Sequence, residues 1–155
     1  MKVGIVGAGA WGTALGVIIA RGGADVVMWS FDGLYATFDG VEMPKNLHIT
    51  QDMAEIENTD AWLIVTPAAF FRETMNKARA FYSGQPIIIC TKGAEPTTGK
   101  FMSEILMDVL PECRDFGVLS GPQFAAEVAR GVPTGSTLAG GEVARKAGHK
   151  IFNKL

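Results

Sequence analysis

Residues 3–12 read VGIVGAGAWG and join a short apolar run to a Gly-x-Gly-x-x-Gly loop that opens a helix. In a dinucleotide site the first glycine makes a tight turn, the second lets the backbone approach the pyrophosphate, and the third packs the helix on the strand. The helix N-terminus then presents free N–H groups and a partial positive charge to the phosphates. The stretch therefore predicts that Gly7, Gly9 and Gly12 hold a dinucleotide, with a purely structural glycine turn as the alternative.

Outside this loop, short apolar runs alternate with segments of helical length. The runs lack polar alternation, which is typical of parallel strands buried on both faces. They lie at residues 3–6, 25–29, 47–49, 61–65, 87–90 and 117–119. Helices are predicted at 68–82, 101–109 and 142–155, with Val143, Ala147 and Ile151 on one face of the last. Repeated β-α-β units predict an α/β fold, a Rossmann-like doubly wound and mostly parallel sheet, and we expect residues 1–155 to form one domain.

Composition narrows the classes of partner. The net charge is −2 and only 19% of residues are charged, without a basic run, so nucleic acid is not expected as a partner. No apolar stretch approaches the roughly 20 residues that span a bilayer, so no membrane contact is expected. With 2 cysteines, 2 histidines and no Cys-x-x-Cys pair, neither a disulfide scaffold nor a metal site is predicted. We expect a cytoplasmic protein.

A candidate residue for distinguishing NAD from NADP follows the second apolar run. Asp32 follows Gly12 at about the 20-residue spacing at which an acidic residue binds the ribose 2′-hydroxyl. Between Arg21 and Lys45 no Arg or Lys is available to hold a 2′-phosphate. The pattern favours NAD slightly over NADP, with the alternative that Asp32 is only a turn residue before Gly33.

Three further positions follow other apolar runs. In a doubly wound fold the carboxyl ends of the strands line the ligand crevice, so we expect the Thr66-Pro67 pair, Lys92 and Gly121 to gather near the cofactor. A lysine there binds a phosphate or a carbonyl oxygen. The alternative is a solvated loop lysine.

Four blocks of sequence carry a resemblance to a known family. In order and spacing, the chain closely resembles the N-terminal domain of bacterial-type NAD(P)-dependent sn-glycerol-3-phosphate dehydrogenase in the blocks GAGAWGTALG, LIVTPAAFFRE, CTKGAEPTTGKFMSEIL and VLSGPQFAAEVARGVPT. The resemblance covers residues 2–139. That family interconverts dihydroxyacetone phosphate and glycerol 3-phosphate for phospholipid synthesis. The resemblance implies an oxidoreductase that uses NAD or NADP and a small phosphate substrate.

The resemblance also implies roles for single residues. To the three glycines, Asp32 and Pro67 it adds cofactor contacts at Ala10, Trp11, Phe31, Lys92 and Ala125. Lys92 looks like the family lysine that contacts both cofactor and substrate, and it is the expected catalytic residue of this chain. Gly121 and Gln123 occupy substrate-contact positions. Phe31 stands where the family often has Arg or His, which puts a preference for NADP in doubt.

The chain also departs from the family pattern. The stretch between Trp29 and Met43 is shorter, so we expect the helix after the second strand to be lost or shortened. The family's helical C-terminal domain, with its catalytic Lys-Asn-Val motif and its phosphate-binding Arg-Asn pair, is expected to be absent. The chain alone is therefore expected to be inactive or weakly active. Two alternatives are a non-catalytic dinucleotide-binding Rossmann protein and a ketopantoate or 6-phosphogluconate type of dehydrogenase, and the Thr-Lys-Gly block argues against the latter.

Without a covering domain, an apolar face of this chain would be open to solvent. We expect that face to lie around Pro67, Phe70, Phe71 and Phe124. Large exposed apolar patches favour association, so a homodimer or aggregation is predicted.

Overall fold

The apolar runs form the strands of one sheet in the computed structural model, which describes residues 1–153. The strands are β1 (Lys2–Val6), β2 (Asp25–Trp29), β3 (Leu47–Thr50), β4 (Ala61–Ile64), β5 (Ile87–Ile89), β6 (Phe116–Ser120) and β7 (Thr137–Gly140). The helices are α1 (Ala10–Arg21), α2 (Phe71–Ala78), α3 (Met102–Val109), α4 (Ala125–Arg130) and α5 (Glu142–Phe152). Short 3-10 turns occupy Met53–Ile56, Ala68–Phe70 and Arg79–Phe81.

The sheet is doubly wound, as predicted. Its strand order is β3-β2-β1-β4-β5-β6-β7, and every neighbouring pair is parallel except β6 and β7. The chain runs outward from β1 to β3, then returns to β4 and runs outward in the other direction. This reversal leaves a crevice at the carboxyl ends of β1 and β4, which is where ligands bind in such sheets.

Alternate residues of the buried strands face two separate cores. Ile5 and Leu63 belong to the core that α1 and α5 cover. Val6 and Ile64 belong to the opposite core, which α2 and α3 cover and in which Phe71 is fully buried. Because both faces of the sheet are covered, its strands carry continuous apolar runs instead of alternating ones.

Glycines let α1 lie close to the sheet. A Cβ on Gly12 would collide with the Gly7 carbonyl oxygen, and one on Gly16 would lie 3.0 Å from Leu47 Cδ1. The third glycine of the loop therefore has the packing role that the sequence predicts.

The connection from β2 to β3 lacks a helix throughout its described residues, 30–46, as the shortened sequence predicts. It folds back onto the start of α1, where the Ala36 N–H donates to the Ala8 carbonyl oxygen (3.2 Å) and to Thr13 Oγ1 (3.2 Å). Phe38 and Val41 pack beside Ala14. This connection forms one wall of the crevice.

Several sequence expectations need correction. Segment 68–82 is a short helix, α2, between two 3-10 turns, and β7 and α4 were not predicted. Phe71 was expected on an exposed face but is fully buried, whereas its neighbour Phe70 is 59% exposed. Of the three residues predicted to share one face of the last helix, Ala147 and Ile151 are buried, whereas Val143 is 55% exposed. That helix ends at Phe152, and the last two positions of its predicted range, 154–155, lie outside the described residues.

Within residues 1–153 no helix combines the length and apolar character needed to cross a bilayer. The same residues contain no group of three or more His, Cys, Asp or Glu side chains that could hold a metal ion.

Candidate functional site

The glycine loop has the turn that its sequence predicts. Gly7 has φ +116°, a conformation that favours glycine, and its N–H donates to the Trp29 carbonyl oxygen at 3.0 Å. A Cβ at Gly7 would lie 3.0 Å from the backbone of Val65. Backbone conformation and space both require glycine here, and the turn directs the chain from β1 into the N-terminus of α1.

The N-terminus of α1 is open. Gly9 is its N-cap and provides no side-chain cap, and a Cβ added to Gly9 would meet nothing within 4 Å. The N–H groups of the first helical turn lack intrahelical partners and offer a partial positive charge. Thr13 holds the loop in place, since its N–H donates to the Gly9 carbonyl oxygen and its Oγ1 to the Ala8 carbonyl oxygen, both at 2.9 Å. The loop can therefore hold a phosphate group close to its backbone.

Two clefts meet at this loop and together form the crevice. The first, here called the β2-side cleft, has a volume of about 570 Å³ and is lined by residues after β1, β2 and β4 and by α2. Its lining includes Gly7, Gly9, Ser30, Phe31, Asp32, Tyr35, Pro67, Phe70, Glu73, Thr74 and Lys77. The second, the β5-side cleft, has a volume of about 400 Å³ and is lined by Gly9, Ala10, Trp11, Val65, Thr66, Pro67, Cys90, Thr91, Lys92, Gln123, Phe124 and Ala125.

Asp32 lines the β2-side cleft and also forms a turn. Its Oδ1 accepts from the Leu34 N–H at 3.0 Å and from Ser30 Oγ at 3.1 Å. These hydrogen bonds, the backbone one first, lower the pKa of the Asp32 carboxyl and keep it charged. The two interpretations of Asp32 are compatible, because Oδ1 makes the turn while Oδ2 makes no protein hydrogen bond within the described residues.

Lys92 lies over the β5-side cleft. Its Nζ is 5.3 Å from the centre of the Trp11 ring and donates to the Gly121 carbonyl oxygen at 3.4 Å. The structure therefore brings together three of the predicted site residues, from the first turn of α1 and from the segments that follow β5 and β6. The ammonium has three donors, so two remain for a ligand oxygen.

Two anchors flank Lys92 along the chain. On one side, Thr91 Oγ1 donates to the Thr66 carbonyl oxygen at 2.8 Å and to that of Ile64 at 3.2 Å. On the other side, the buried Glu95 carboxylate accepts from Arg72 Nε at 2.8 Å and Nη2 at 3.0 Å, and from Thr98 Oγ1 at 2.5 Å. The Arg72 guanidinium, followed by Thr98, lowers the pKa of Glu95 to about 2. The loop that carries Lys92 is thus tied to β4 and to α2.

The expected substrate-contact residues lie next to each other. A Cβ at Gly121 would lie 2.6 Å from the Gly135 carbonyl oxygen, so the chain needs glycine at this close approach. Gly121 is outside the lining of the β5-side cleft but supplies the carbonyl that Lys92 contacts. The Gln123 side chain lines the cleft and donates to Ser136 Oγ.

Unpaired polar atoms are concentrated in the β5-side cleft. Among the described residues, the buried side-chain atoms without a protein partner are Trp11 Nε1, Thr66 Oγ1 and Gln123 Oε1, and all three residues line this cleft. Buried polar groups are normally hydrogen-bonded, so three such atoms at one site leave a hydrogen-bonding capacity that a polar ligand or a bound water can meet. Together with the open glycine loop, they fit a dinucleotide and a small polar substrate.

Sequence reasoning missed the contribution of α2 to the β2-side cleft. Glu73, Thr74 and Lys77 line it together with Phe70. These positions follow Phe70 at helical spacing of three, four and seven residues, so they share one face of a helix. That spacing, combined with the position of α2 after β4, is the signal that could have found them.

Comparison with known proteins identifies a matching family. Residues 2–145 match the family described as NAD-dependent glycerol-3-phosphate dehydrogenase N-terminus. Over 151 residues the chain is 43% identical to the glycerol-3-phosphate dehydrogenase [NAD(P)+] of Afipia carboxidovorans. The matched region covers 90% of this chain and 46% of that relative. Its counterpart in Parvibaculum lavamentivorans is 41% identical and covers 89% of this chain and 45% of the relative.

A solved structure has the same fold. The crystal structure of glycerol-3-phosphate dehydrogenase from Coxiella burnetii superimposes with a TM-score of 0.85 at 27% identity, covering 99% of this chain and 50% of that one. The chain spans about half the length of the curated relatives it matches.

Proposed function

The chain belongs to the NAD-dependent glycerol-3-phosphate dehydrogenase family and covers its N-terminal, NAD-binding domain, and from this premise we propose that its crevice serves the interconversion of dihydroxyacetone phosphate and sn-glycerol 3-phosphate. The observation that carries the proposal is the concentration of unpaired polar atoms beside the glycine loop, at Trp11, Thr66 and Gln123. A polar ligand supplies the partners that these buried atoms lack.

The glycine loop is the proposed pyrophosphate site. The first-turn N–H groups of α1, at Ala10, Trp11 and Gly12, donate to phosphate oxygens, and Gly9 leaves room for the approach. Pro67 and Ala125, in the lining of the β5-side cleft, are proposed as further cofactor contacts. When bound, the cofactor supplies or accepts the hydride.

Lys92 is the proposed catalytic residue of this chain. Its ammonium lies between the Trp11 ring and the Gly121 carbonyl, so it can hold both a cofactor oxygen and a substrate oxygen. A positive charge beside a carbonyl oxygen stabilises the negative charge that develops there during hydride transfer. Gly121 and Gln123 are proposed to position the substrate next to this ammonium.

Asp32 and Phe31 are proposed as the residues that contact the adenosine ribose. The free Oδ2 of Asp32 can accept a hydrogen bond from a ribose hydroxyl, and its charge repels a 2′-phosphate. We propose a slight preference for NAD on this ground. By the resemblance to bacterial relatives, we also propose that the reaction supplies phospholipid precursors in the cytoplasm.

Titration with NADH and NADPH, followed by tryptophan fluorescence, tests the cofactor proposal, because Trp11 lies at the glycine loop. The matched variants are Gly9→Val and Gly135→Val, because an added Cβ meets nothing within 4 Å at either position. Gly9→Val is expected to abolish saturable binding by filling the approach to the loop, and Gly135→Val to preserve it. Equal binding by both variants would contradict the proposed loop. Saturable binding of dihydroxyacetone phosphate to the NADH-loaded chain, measured by calorimetry, then separates a chain with a substrate site from a protein that only binds the dinucleotide.

A further inference from the structure

A cation from α2 reaches the β2-side cleft. Lys77 Nζ lies 5.4 Å from the centre of the Phe31 ring, directly after β2. The same Nζ lies 2.8 Å from Glu73 Oε1, four residues earlier on the helix. The residues around β2 supply no cation of their own, so Lys77 changes the electrostatics of this end of the crevice.

The charges that line the β2-side cleft are Asp32, Glu73 and Lys77, two negative and one positive. With Lys77 paired to Glu73, a second phosphate group placed here would meet the uncompensated charge of Asp32. Without Glu73, the Lys77 ammonium would be available to that phosphate.

The Glu73–Lys77 ion pair is exchangeable. The two side chains are 67% and 49% exposed, and ion pairs of this kind contribute little because water screens them. A phosphate carries nearly two negative charges and three strong acceptor oxygens, so it competes well with one carboxylate for an ammonium.

The position of Lys77 matches the point where the 2′-position of the ribose is recognised. In this fold that recognition comes from the residue at the end of β2. Phe31 stands at that end, with its ring packed edge-on against Trp29 at a centroid distance of 6.5 Å. The Lys77 ammonium lies over the same ring.

We propose that the Glu73–Lys77 pair determines how well this chain accepts a 2′-phosphate. Lys77 binds the 2′-phosphate of NADPH when it leaves Glu73, and Glu73 opposes that exchange both by holding Lys77 and by its own charge. The pair thereby determines the ratio of the affinities for NADPH and NADH. This inference rests on the proposed dinucleotide function.

Calorimetric dissociation constants for NADH and NADPH test the pair through binding and not through turnover. Lys77→Gln is expected to raise the dissociation constant for NADPH about tenfold, which is the effect of losing one charge-assisted hydrogen bond. The dissociation constant for NADH is expected to change by less than about twofold. Glu73→Gln is expected to act in the opposite direction and to lower the dissociation constant for NADPH by about threefold or more. Lys77→Arg keeps the charge and is expected to retain NADPH binding.

The matched control lies on another helix. Lys146 pairs with Glu142 at the same four-residue spacing on α5, and both side chains are exposed, so Lys146→Gln removes an equivalent pair away from the cleft. It is expected to leave both constants unchanged. If the unaltered chain binds both nucleotides and Lys77→Gln leaves their ratio unchanged, the role of the pair is refuted while the dinucleotide function stands. If the unaltered chain binds neither nucleotide, the dinucleotide function fails and the role of the pair fails with it.

Discussion

Replacing Thr66 with Val tests whether the Thr66 hydroxyl serves to bind a ligand or to stabilise the free protein. Thr66 is 6% exposed, and its Oγ1 is buried without a protein partner. Burying an unpaired hydroxyl costs about 1–3 kcal/mol, and Val has nearly the same shape without the polar atom. Thr66→Val is therefore expected to stabilise the free protein by about 1 kcal/mol, which raises Tm by about 2–4 °C for a chain of this size.

The same substitution is expected to weaken ligand binding. A neutral hydrogen bond contributes about 0.5–1.5 kcal/mol, so loss of the Thr66 hydroxyl should raise the dissociation constant for NADH, or for substrate added with NADH, about two- to tenfold. The assay is thermal unfolding of both proteins with and without these ligands. Stability and binding should move in opposite directions.

Thr91→Val provides the control because the Thr91 hydroxyl is satisfied. Its Oγ1 donates to the carbonyl oxygens of Thr66 and Ile64 in the same part of the fold. Removing it should lower stability by about 1 kcal/mol. A fall in Tm for Thr66→Val comparable to that for Thr91→Val would refute the reasoning, since it would show that the Thr66 hydroxyl is already paired in the free protein.

Two further predictions concern acid stability and association. Because Arg72 lowers the pKa of Glu95 to about 2, below the ordinary value of 4.5, the contribution of Glu95 to stability is complete above about pH 4.5 and is lost as the pH falls towards 2. Chemical unfolding across that range should show that the free energy of unfolding falls as the pH falls, and that it falls less in Glu95→Gln. The same dependence on pH in both proteins would contradict the ion-pair assignment. Phe70 and Phe124 are 59% and 71% exposed beside the crevice. We expect self-association by light scattering that the double change to Ser reduces, whereas a monodisperse monomer of the unaltered chain would contradict it.

The strands and the glycine loop could be predicted from the sequence because their causes are local. A strand covered on both faces must be apolar at every position, as in Ala61–Ile64, and the turn at Gly7 requires a conformation that favours glycine. The edge strand Thr137–Gly140 was not predicted because it lacks this local signal. It is mostly exposed and pairs on one side only, so its residues carry no continuous apolar pattern.

Two adjacent phenylalanines show where local pattern fails. Phe71 begins α2 and is fully buried beneath the sheet, while Phe70 ends the preceding 3-10 turn and is 59% exposed. Composition alone treats the two residues alike. The structure places the start of the α-helix between them, and Phe71 packs in the core shared with α3, which is distant along the chain.

The proposed cofactor preference likewise depends on residues that are distant along the chain. The sequence after β2 contains Asp32 and no nearby cation, which favours NAD, yet Lys77 reaches that end of the crevice from a helix that follows β4. Electrostatic interactions act through space, so the residues that choose between the two nucleotides need not be neighbours along the chain. On the proposal that the Glu73–Lys77 pair determines acceptance of a 2′-phosphate, a single substitution in α2 should shift the cofactor preference without any change at the end of β2.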